Sequence, residues 1–248
     1  MEILLNENER IDDLELNNLK IIQNKNYFCF GMDSVILSDF AKSIKYNSNV
    51  IDLGTGTGIL GILLSAKTNL KHITGIEIQK EVFELAKRNI KLNNLENKFN
   101  IINEDINNLK KILKNNSYDV VITNPPYKKI NSGKISENEI NLISRHEIKC
   151  NLENVIEQAS FLLKDKGEFY MVHRPERLPE IIINLKKYKI EPKTIKFVYP
   201  KKNKNANLIL IKAVKNARGF LVVEEPIIVY NENGEYTEEL LKIYGKNI

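Results

Sequence analysis

The sequence has few of the residues that form disulfides and bind transition metals. Its 248 residues include two cysteines and three histidines. Cys29 and Cys150 lie far apart, which is typical of reduced thiols in the cytoplasm rather than of a disulfide-rich secreted domain. His72, His146 and His173 lack the spacing of metal ligands, so no metal is expected. These absences predict a cytoplasmic protein without a metal centre.

Long hydrophobic runs are also absent. No apolar segment approaches the roughly 20 residues that a helix needs to cross a bilayer, so no membrane contact is expected. Residues 1–16 lack a basic stretch followed by an apolar core, and no secretion signal is expected. Apolar residues make up 42% and charged residues 28%, a balance typical of folded globular proteins. The formal net charge of +5 permits an anionic partner without indicating one.

Strand-length apolar runs alternate with segments of helical periodicity. The predicted strands cover residues 49–53, 72–77, 99–103, 118–123 and 168–173, and the helices 59–67, 80–93, 152–163 and about 176–188. This alternation predicts βαβ units in a mostly parallel, doubly wound sheet. Two last strands, near 193–199 and 207–213, are joined by a loop too short for a crossover helix, so they are predicted to be antiparallel.

The length is compatible with one domain that carries an extension at each end. The predicted catalytic core covers residues 47–215. Residues 1–46 are expected to hold a short hairpin or an extended segment, followed by a helix over about 33–45. Residues 216–248 are expected to hold a turn at Asn233-Gly234 and a helix capped by Thr237.

A glycine-rich segment follows the first core strand. It begins with Asp52 and contains Gly54, Gly56 and Gly58. Glycine lets a backbone turn sharply and approach a ligand closely. The next two strands end near Glu77, placed to accept from ribose hydroxyls, and Asp105, placed to accept from an adenine amino group. Because these features share one sheet edge, they predict a nucleoside-containing cofactor more strongly than a structural turn with two surface acids.

The most specific motif is Asn124-Pro125-Pro126-Tyr127, directly after a predicted strand. The prolines donate no amide hydrogens and hold the backbone rigid. The Asn124 side-chain oxygen and the Pro125 carbonyl are therefore expected to be free acceptors for the two protons of a planar amino group, while the Tyr127 ring stacks on that group. The motif predicts chemistry at an amino nitrogen through preorganised acceptors. The alternative is a rigid turn in which Asn124 caps its own backbone.

Both motifs resemble those of known enzymes. The acid-led glycine segment resembles the S-adenosylmethionine loop of class I methyltransferases rather than a loop for NAD. The Asn-Pro-Pro-Tyr motif resembles that of methyltransferases acting on adenine N6, guanine N2 or a glutamine side chain. The resemblance implies S-adenosylmethionine as cofactor and a class I (Rossmann-like) α/β fold, with a doubly wound, mostly parallel seven-stranded sheet that ends in an antiparallel hairpin.

Over nearly its full length the sequence is similar to bacterial tRNA(Val) (adenine-37-N6)-methyltransferases. Further matching segments are residues 28–34 (Phe-Cys-Phe-Gly-Met-Asp-Ser), 173–177, 218–219 and 224–226. In that family the first of these closes over the cofactor. The implied cofactor contacts are Phe30, Gly31, Asp33, Asp52, Gly54, Gly56, Gly58, Glu77, Asp105 and Asn124, and the implied catalytic residues are Asn124, Pro125 and Tyr127. Asp33 is also expected to cap the following helix.

This resemblance implies a tRNA partner, although the sequence contains no recognisable RNA-binding module. Basic residues near the predicted active edge are candidate phosphate contacts. They are Lys128, Lys129, Arg145, Arg174, Lys201 and Lys202, and Arg177 and Arg218 are further candidates.

Other functions fit the motifs less well. Protein glutamine methyltransferases carry a separate helical domain before the first core strand, whereas only about 46 residues precede it here. Methylation of guanine N2 in ribosomal RNA, or of adenine in DNA, uses similar chemistry, but no DNA-recognition domain is visible. Methylation of a small-molecule hydroxyl suits the paired acceptors poorly. A non-catalytic module that binds cofactor or RNA is the alternative outside enzymes.

Overall fold

Buried strands and amphipathic helices alternate along the chain, as the apolar pattern predicts. The computed structural model describes residues 4–27, 29–127 and 151–246. The strands are β1 Glu9–Asp13, β2 Lys20–Asn24, β3 Asn49–Leu53, β4 His72–Glu77, β5 Phe99–Asn103, β6 Tyr118–Thr123, β7 Leu163–His173, β8 Ile190–Tyr199, β9 Leu208–Lys215, β10 Val222–Val223 and β11 Ile227–Ile228. The helices are α1 Met32–Phe40, α2 Ile59–Lys67, α3 Lys80–Leu92, α4 Leu109–Ile112, α5 Leu152–Leu162, α6 Leu178–Lys187 and α7 Glu238–Ile243.

The main sheet has the order β5-β4-β3-β6-β7-β9-β8. Its strands are parallel except β9, which is antiparallel to both β7 and β8. From β3 the chain winds outward in both directions, through β4 and β5 on one side and through β6 and β7 on the other. The doubly wound α/β fold with an antiparallel terminal hairpin is therefore confirmed. Strands β10 and β11 both pair with β8 and extend the sheet from seven strands to nine.

Apolar side chains cover both faces of the sheet. One cluster joins α1, α2 and α7 to the sheet through residues such as Ile36, Leu64 and Leu240. The other joins α5 and α6 to it through Ile156 and Leu185. Because both faces are buried, the central strands are apolar throughout, and polar side chains are concentrated where the strands end.

Two predicted boundaries are wrong by several residues. Helix α1 ends at Phe40 and not near 45, because Lys42 and Ile44 donate to the carbonyls three residues earlier and form turns. Strand β7 begins at Leu163 rather than 168. The first residues of β7 are mostly polar and lack the apolar pattern of a buried strand. The sequence therefore gives no sign that Leu163 pairs with Tyr118 through the backbone. The N-terminal hairpin and the Thr237 cap agree with the sequence prediction.

The N-terminal hairpin is attached to α3 by two asparagine side chains. Asn89 accepts from the Ile22 amide at 2.6 Å and donates to the carbonyls of Ile22 at 3.1 Å and Thr57 at 3.0 Å. One turn later, Asn93 accepts from the Lys20 amide and donates to the Lys20 carbonyl. These carboxamides bond to the free edge of β2 as a neighbouring strand would. The fully buried Asn89 also joins the hairpin to the glycine-rich segment.

We expect the replacement Asn89→Ala to lower the free energy of unfolding by about 2–4 kcal/mol, because it leaves three buried backbone groups without partners. Denaturant unfolding measures this change. Asn93→Ala is the matched control, because the groups it leaves are exposed and can bond to water. We expect its loss to be about 1 kcal/mol or less. Equal losses for the two variants would contradict the role given to Asn89.

Candidate active site at the carboxyl edge of the sheet

The glycine-rich segment forms a tight loop between β3 and α2. Gly54, Gly56 and Gly58 have φ values of 76°, 55° and 84°, in the left-handed region that side chains with a Cβ rarely adopt. The amides of Gly54 and Thr55 donate to the Ile76 carbonyl at 3.0 and 2.9 Å, which fixes the loop against β4. A Cβ added to Gly54 or Gly56 would meet no atom within 4 Å. The loop therefore borders open space in which a ligand can contact its backbone.

Glu77 ends β4 directly beside this loop. Its carboxylate accepts from the Gly56 amide at 3.0 Å and from the Gln79 amide at 2.8 Å. The side chain is only 2% exposed, and two backbone donors therefore hold it in one orientation. Each carboxylate oxygen keeps further lone pairs, so the group can also accept from a pair of ribose hydroxyls.

Asp52 is a buried carboxylate beneath the loop. One oxygen accepts from the Thr55 hydroxyl at 2.6 Å, and the other, Oδ1, has no hydrogen-bond partner among the described residues. The pKa of Asp52 is raised to about 7, mainly by burial. The hydrogen bond from Thr55 lowers this pKa, and the nearby negative charge of Glu77 contributes to the rise. A buried acceptor without a donor fits a ligand that carries a positive charge or a donor, as the amino-acid end of S-adenosylmethionine does.

Asp105 follows β5 at the same edge and is half-buried. It accepts from the Asn107 amide at 2.8 Å and begins the short helical turn over residues 106–108. The structure thus brings Asp52, Glu77 and Asp105 to three neighbouring strand ends, as their sequence positions predict.

The segment Asn124-Pro125-Pro126-Tyr127, here called the acceptor motif, begins directly after β6 and contacts α1. Asn124 Nδ2 donates to Ser34 Oγ at 3.1 Å, so Asn124 Oδ1 faces Tyr127. Tyr127 Oη lies 2.7 Å from Asn124 Oδ1 and 2.6 Å from Asp33 Oδ2. The expectation that the Asn124 oxygen is free is therefore wrong for this structure, because the Tyr127 hydroxyl already lies against it.

Asp33 does not cap α1. The helix begins at Met32 with Gly31 before it, and Asp33 lies within the first turn. Its Oδ1 accepts from the Ser34 amide at 2.9 Å while Oδ2 contacts Tyr127. The predicted cap is wrong because Gly31 occupies the cap position and the helix begins at Met32, which leaves Asp33 Oδ2 to face Tyr127.

The Tyr127 ring packs against the last residue of β7, His173, and the residue after it, Arg174. The His173 ring centroid lies 5.3 Å from that of Tyr127, and the Arg174 guanidinium lies 5.1 Å from it. Burial raises the pKa of Tyr127 above its usual range, and the Asp33 charge adds to the effect. Burial also lowers the pKa of His173 to about 4, so this imidazole is neutral at physiological pH. Its Nδ1 accepts from the Arg174 amide at 2.7 Å.

The N-terminal segment approaches the site through Phe30 and Gly31. The Phe30 amide donates to Gln23 Oε1 at 3.0 Å, and Gln23 in turn donates to Asp12. The Phe30 side chain packs against the cluster that contains α1. Phe28 lies outside the described residues.

Some candidate phosphate contacts lie at this edge. Lys201 and Lys202 are exposed in the loop between β8 and β9, and Arg174 donates to the Asn207 carbonyl of the same loop at 2.9 Å. The predicted contacts Lys128, Lys129 and Arg145 lie outside the described residues. The further candidate Arg218 does not lie with them, because its carbonyl accepts from Lys193 near the start of β8, at the opposite edge.

Sequence reasoning overlooked several residues that organise the site. Ser34 acts through one hydrogen bond to Asn124, Gln23 through two that join Asp12 to Phe30, and Asn89 through three. The sequence offers one hint, since Asn89 is polar on the otherwise apolar face of α3. Within the described ranges, no group of three or more potential metal ligands is present. No helix there has the length and apolar character needed to cross a membrane.

Comparisons with known proteins agree with this geometry. A family model described as a methyltransferase domain matches residues 44–232. The chain is 24% identical over 220 residues to a tRNA1(Val) (adenine(37)-N6)-methyltransferase of Porphyromonas gingivalis, with 86% of each chain covered. It is also 24% identical over 212 residues to a protein of the same name from Haemophilus influenzae, which covers 85% of this chain and 87% of the relative.

Solved structures share the fold. A predicted O-methyltransferase from Agrobacterium tumefaciens superposes with a TM-score of 0.69 at 20% identity, over 87% of this chain and all of that one. Trm5 of Methanocaldococcus jannaschii, solved with adenosine, gives a TM-score of 0.62 at 18% identity over 86% of this chain and 57% of that one. At these identities the likeness shows the class I methyltransferase fold alone.

The raised pKa of Asp52 predicts how stability depends on pH without ligand. The folded state holds this proton up to about pH 7, whereas the unfolded chain releases it near pH 4. Asp52 therefore lowers stability progressively as the pH rises from about 4 to 7, by up to about 4 kcal/mol. We expect Asp52→Asn to be more stable than wild type at pH 8, with the difference shrinking below pH 5, as measured by denaturant unfolding. A difference independent of pH would contradict this assignment.

Proposed function

Because the chain belongs to the methyltransferase domain family, we propose that it methylates N6 of adenine 37 in the anticodon loop of a tRNA. The observation that carries this proposal is the Asn124-Pro125-Pro126-Tyr127 motif beside an acid-led glycine loop. The similarity of most of the chain to enzymes named for this reaction supports the same substrate. A tRNA substrate also favours a cytoplasmic location.

S-adenosylmethionine is the cofactor, and when bound it supplies an electrophilic methyl group. We assign its ribose to Glu77, its adenine amino group to Asp105 and its charged methionine end to the Asp52 side of the glycine loop. Residues 1–46 then act as a covering extension, with Phe30, Gly31 and Asp33 nearest the cofactor. The catalytic core over 47–215 and the C-terminal extension over 216–248 complete our division of the chain.

The acceptor motif acts on the amino group of the substrate. The Asn124 Oδ1 and Pro125 carbonyl oxygens accept its two hydrogens, which concentrates the nitrogen lone pair on the side of the methyl group. Because these acceptors are fixed before the substrate arrives, much of the rate enhancement comes from orientation. No strong base is needed, because one amino hydrogen leaves as a proton, through its acceptor to water, only after the new N–C bond has begun to form.

We assign to Tyr127 the role of receiving the target base. A base in an anticodon loop is unpaired, so turning it outward costs a few kcal/mol at most. Stacking of one base on an aromatic ring is worth about 1–3 kcal/mol, which offsets much of that cost. Arg174 lies against the Tyr127 ring in this structure. We propose that it moves away from the ring to a phosphate when the base stacks there.

The alternatives have less support. The relatives with high coverage carry the name of a tRNA adenine enzyme, and neither glutamine nor guanine methylation appears in their names. A non-catalytic role is disfavoured by the complete set of loop glycines and by the position of Asn124 at the same edge. The motif residues would have no shared reason to meet there in a protein that transfers no methyl group.

We expect Asn124→Ala to lower kcat for tRNA methylation by about a thousandfold while changing cofactor affinity by less than about tenfold, because it removes one acceptor. Labelled methyl transfer into a tRNA transcript measures kcat, and calorimetry measures cofactor binding. A transcript with guanine at position 37 is the substrate control. Near-normal transfer by Asn124→Ala, or equal transfer to the control transcript, would refute the proposed reaction or its site.

We expect the double replacement of Lys201 and Lys202 by Ala to weaken tRNA binding and to reduce the salt slope of log K by about 1–2, because each lysine is proposed to contact a phosphate. The matched control replaces Lys71 and Lys98, which are exposed near the starts of β4 and β5 at the opposite edge. Filter binding at several salt concentrations compares the two. Equal weakening by both pairs would indicate only a general charge effect.

A further inference from the structure

Two adjacent residues of α1 contact the two functional side chains of the acceptor motif. Asp33 Oδ2 lies 2.6 Å from Tyr127 Oη, and Ser34 Oγ accepts from Asn124 Nδ2 at 3.1 Å. Asp33 is 9% exposed and Ser34 is 3% exposed, so water competes little for either contact. Helix α1 therefore determines which atoms of the motif are available to a substrate.

The Tyr127 hydroxyl has one proton and two oxygen acceptors. Asn124 Oδ1 lies 2.7 Å away, almost as near as Asp33 Oδ2. A hydroxyl makes one strong donated hydrogen bond, and a carboxylate attracts the proton more strongly than an amide oxygen does. The proton therefore lies towards Asp33. Asn124 Oδ1 then receives only the weaker share of the phenol proton, so a new donor can replace this contact more easily than it could replace a full hydrogen bond.

We propose that Asp33 is a positioning residue for methyl transfer, acting through the Tyr127 hydroxyl. By holding the phenol proton, Asp33 keeps Asn124 Oδ1 available until the substrate amino group arrives. Without Asp33 the proton turns to Asn124, and the enzyme's own hydroxyl occupies the acceptor that the substrate needs. The proposal rests on the proposed reaction at an amino nitrogen.

Ser34 completes the arrangement. Its hydroxyl accepts from Asn124 Nδ2, which keeps the amide oxygen rather than the amide nitrogen facing Tyr127. The Asp33 contact also fixes the tilt of the Tyr127 ring, which the proposed function uses as the stacking surface for the base. One turn of helix thus orients the acceptor oxygen, the competing hydroxyl and the aromatic ring together.

A double-mutant cycle between Asp33 and Tyr127 tests this role. We expect Asp33→Ala to lower kcat by about tenfold at saturating cofactor, because the substrate must displace a hydroxyl from Asn124. Tyr127→Phe removes that hydroxyl and keeps the ring, so kcat is expected to fall by no more than about threefold. The variant with both replacements should match Tyr127→Phe, so that the second change rescues the first. Asp33→Asn, which keeps an uncharged acceptor, should fall between wild type and Asp33→Ala.

Three outcomes would overturn the positioning role. One is a double variant whose loss is the product of the two single losses, as expected if Asp33 only binds cofactor or supports the fold. Another is a Tyr127→Phe variant as inactive as Asp33→Ala, which would make the hydroxyl a required group rather than a competitor. The third is an Asp33→Asn variant less active than Asp33→Ala. Thermal unfolding and cofactor calorimetry of each variant identify losses caused by misfolding or weak binding.

Failure of this proposal can be distinguished from failure of the proposed function. An additive cycle in an enzyme that methylates adenine 37 overturns the role of Asp33 alone. A wild-type protein that binds S-adenosylmethionine but methylates no adenine in tRNA overturns the proposed function and the positioning role with it.

Discussion

The arrangement of the site depends on the buried carboxamide of Asn89. Its three hydrogen bonds connect α3, the free edge of β2 and the glycine loop through Thr57. From β2 the connection continues through Gln23 to the backbone of Phe30, and α1 begins two residues later. Because each partner of Asn89 is a buried backbone group, none of its three bonds can be exchanged for water without a penalty. One side chain therefore connects the glycine loop to the segment proposed to cover the cofactor.

The second constraint is the common edge of the parallel strands. Strands β3, β4, β5 and β6 end side by side, so side chains distant in sequence become neighbours there. Buried charge accumulates as a result, and the raised pKa of Asp52 is its clearest sign. Burying the Asp52 Oδ1 acceptor, which has no partner among the described residues, makes the fold less stable than an apolar residue would, and this acceptor gains a partner only when a ligand supplies a donor.

The sequence alone predicted the alternation of elements, the antiparallel hairpin and the approach of Asp52, Glu77, Asp105 and the acceptor motif to one edge. These follow from periodicity and from the topology of parallel sheets. It could not predict that Tyr127 Oη would lie between Asp33 and Asn124, because that contact joins residues 94 positions apart and depends on how α1 packs. The mistaken cap has a similar cause, since the first residue of a helix depends on packing as well as on local preference.

The position of β9 has a consequence for how the chain assembles. Strand β8 does not pair with β7, and its partners β9, β10 and β11 all follow it in the sequence. During synthesis on a ribosome, β3 to β7 can pair as they emerge, but β8 has no edge to join until β9 has been inserted against β7. The part of the sheet formed by β8 to β11 therefore closes in one late step. Until that step, β7 presents an unpaired edge that can join another chain, so the nascent protein is most prone to aggregate just before its sheet is complete.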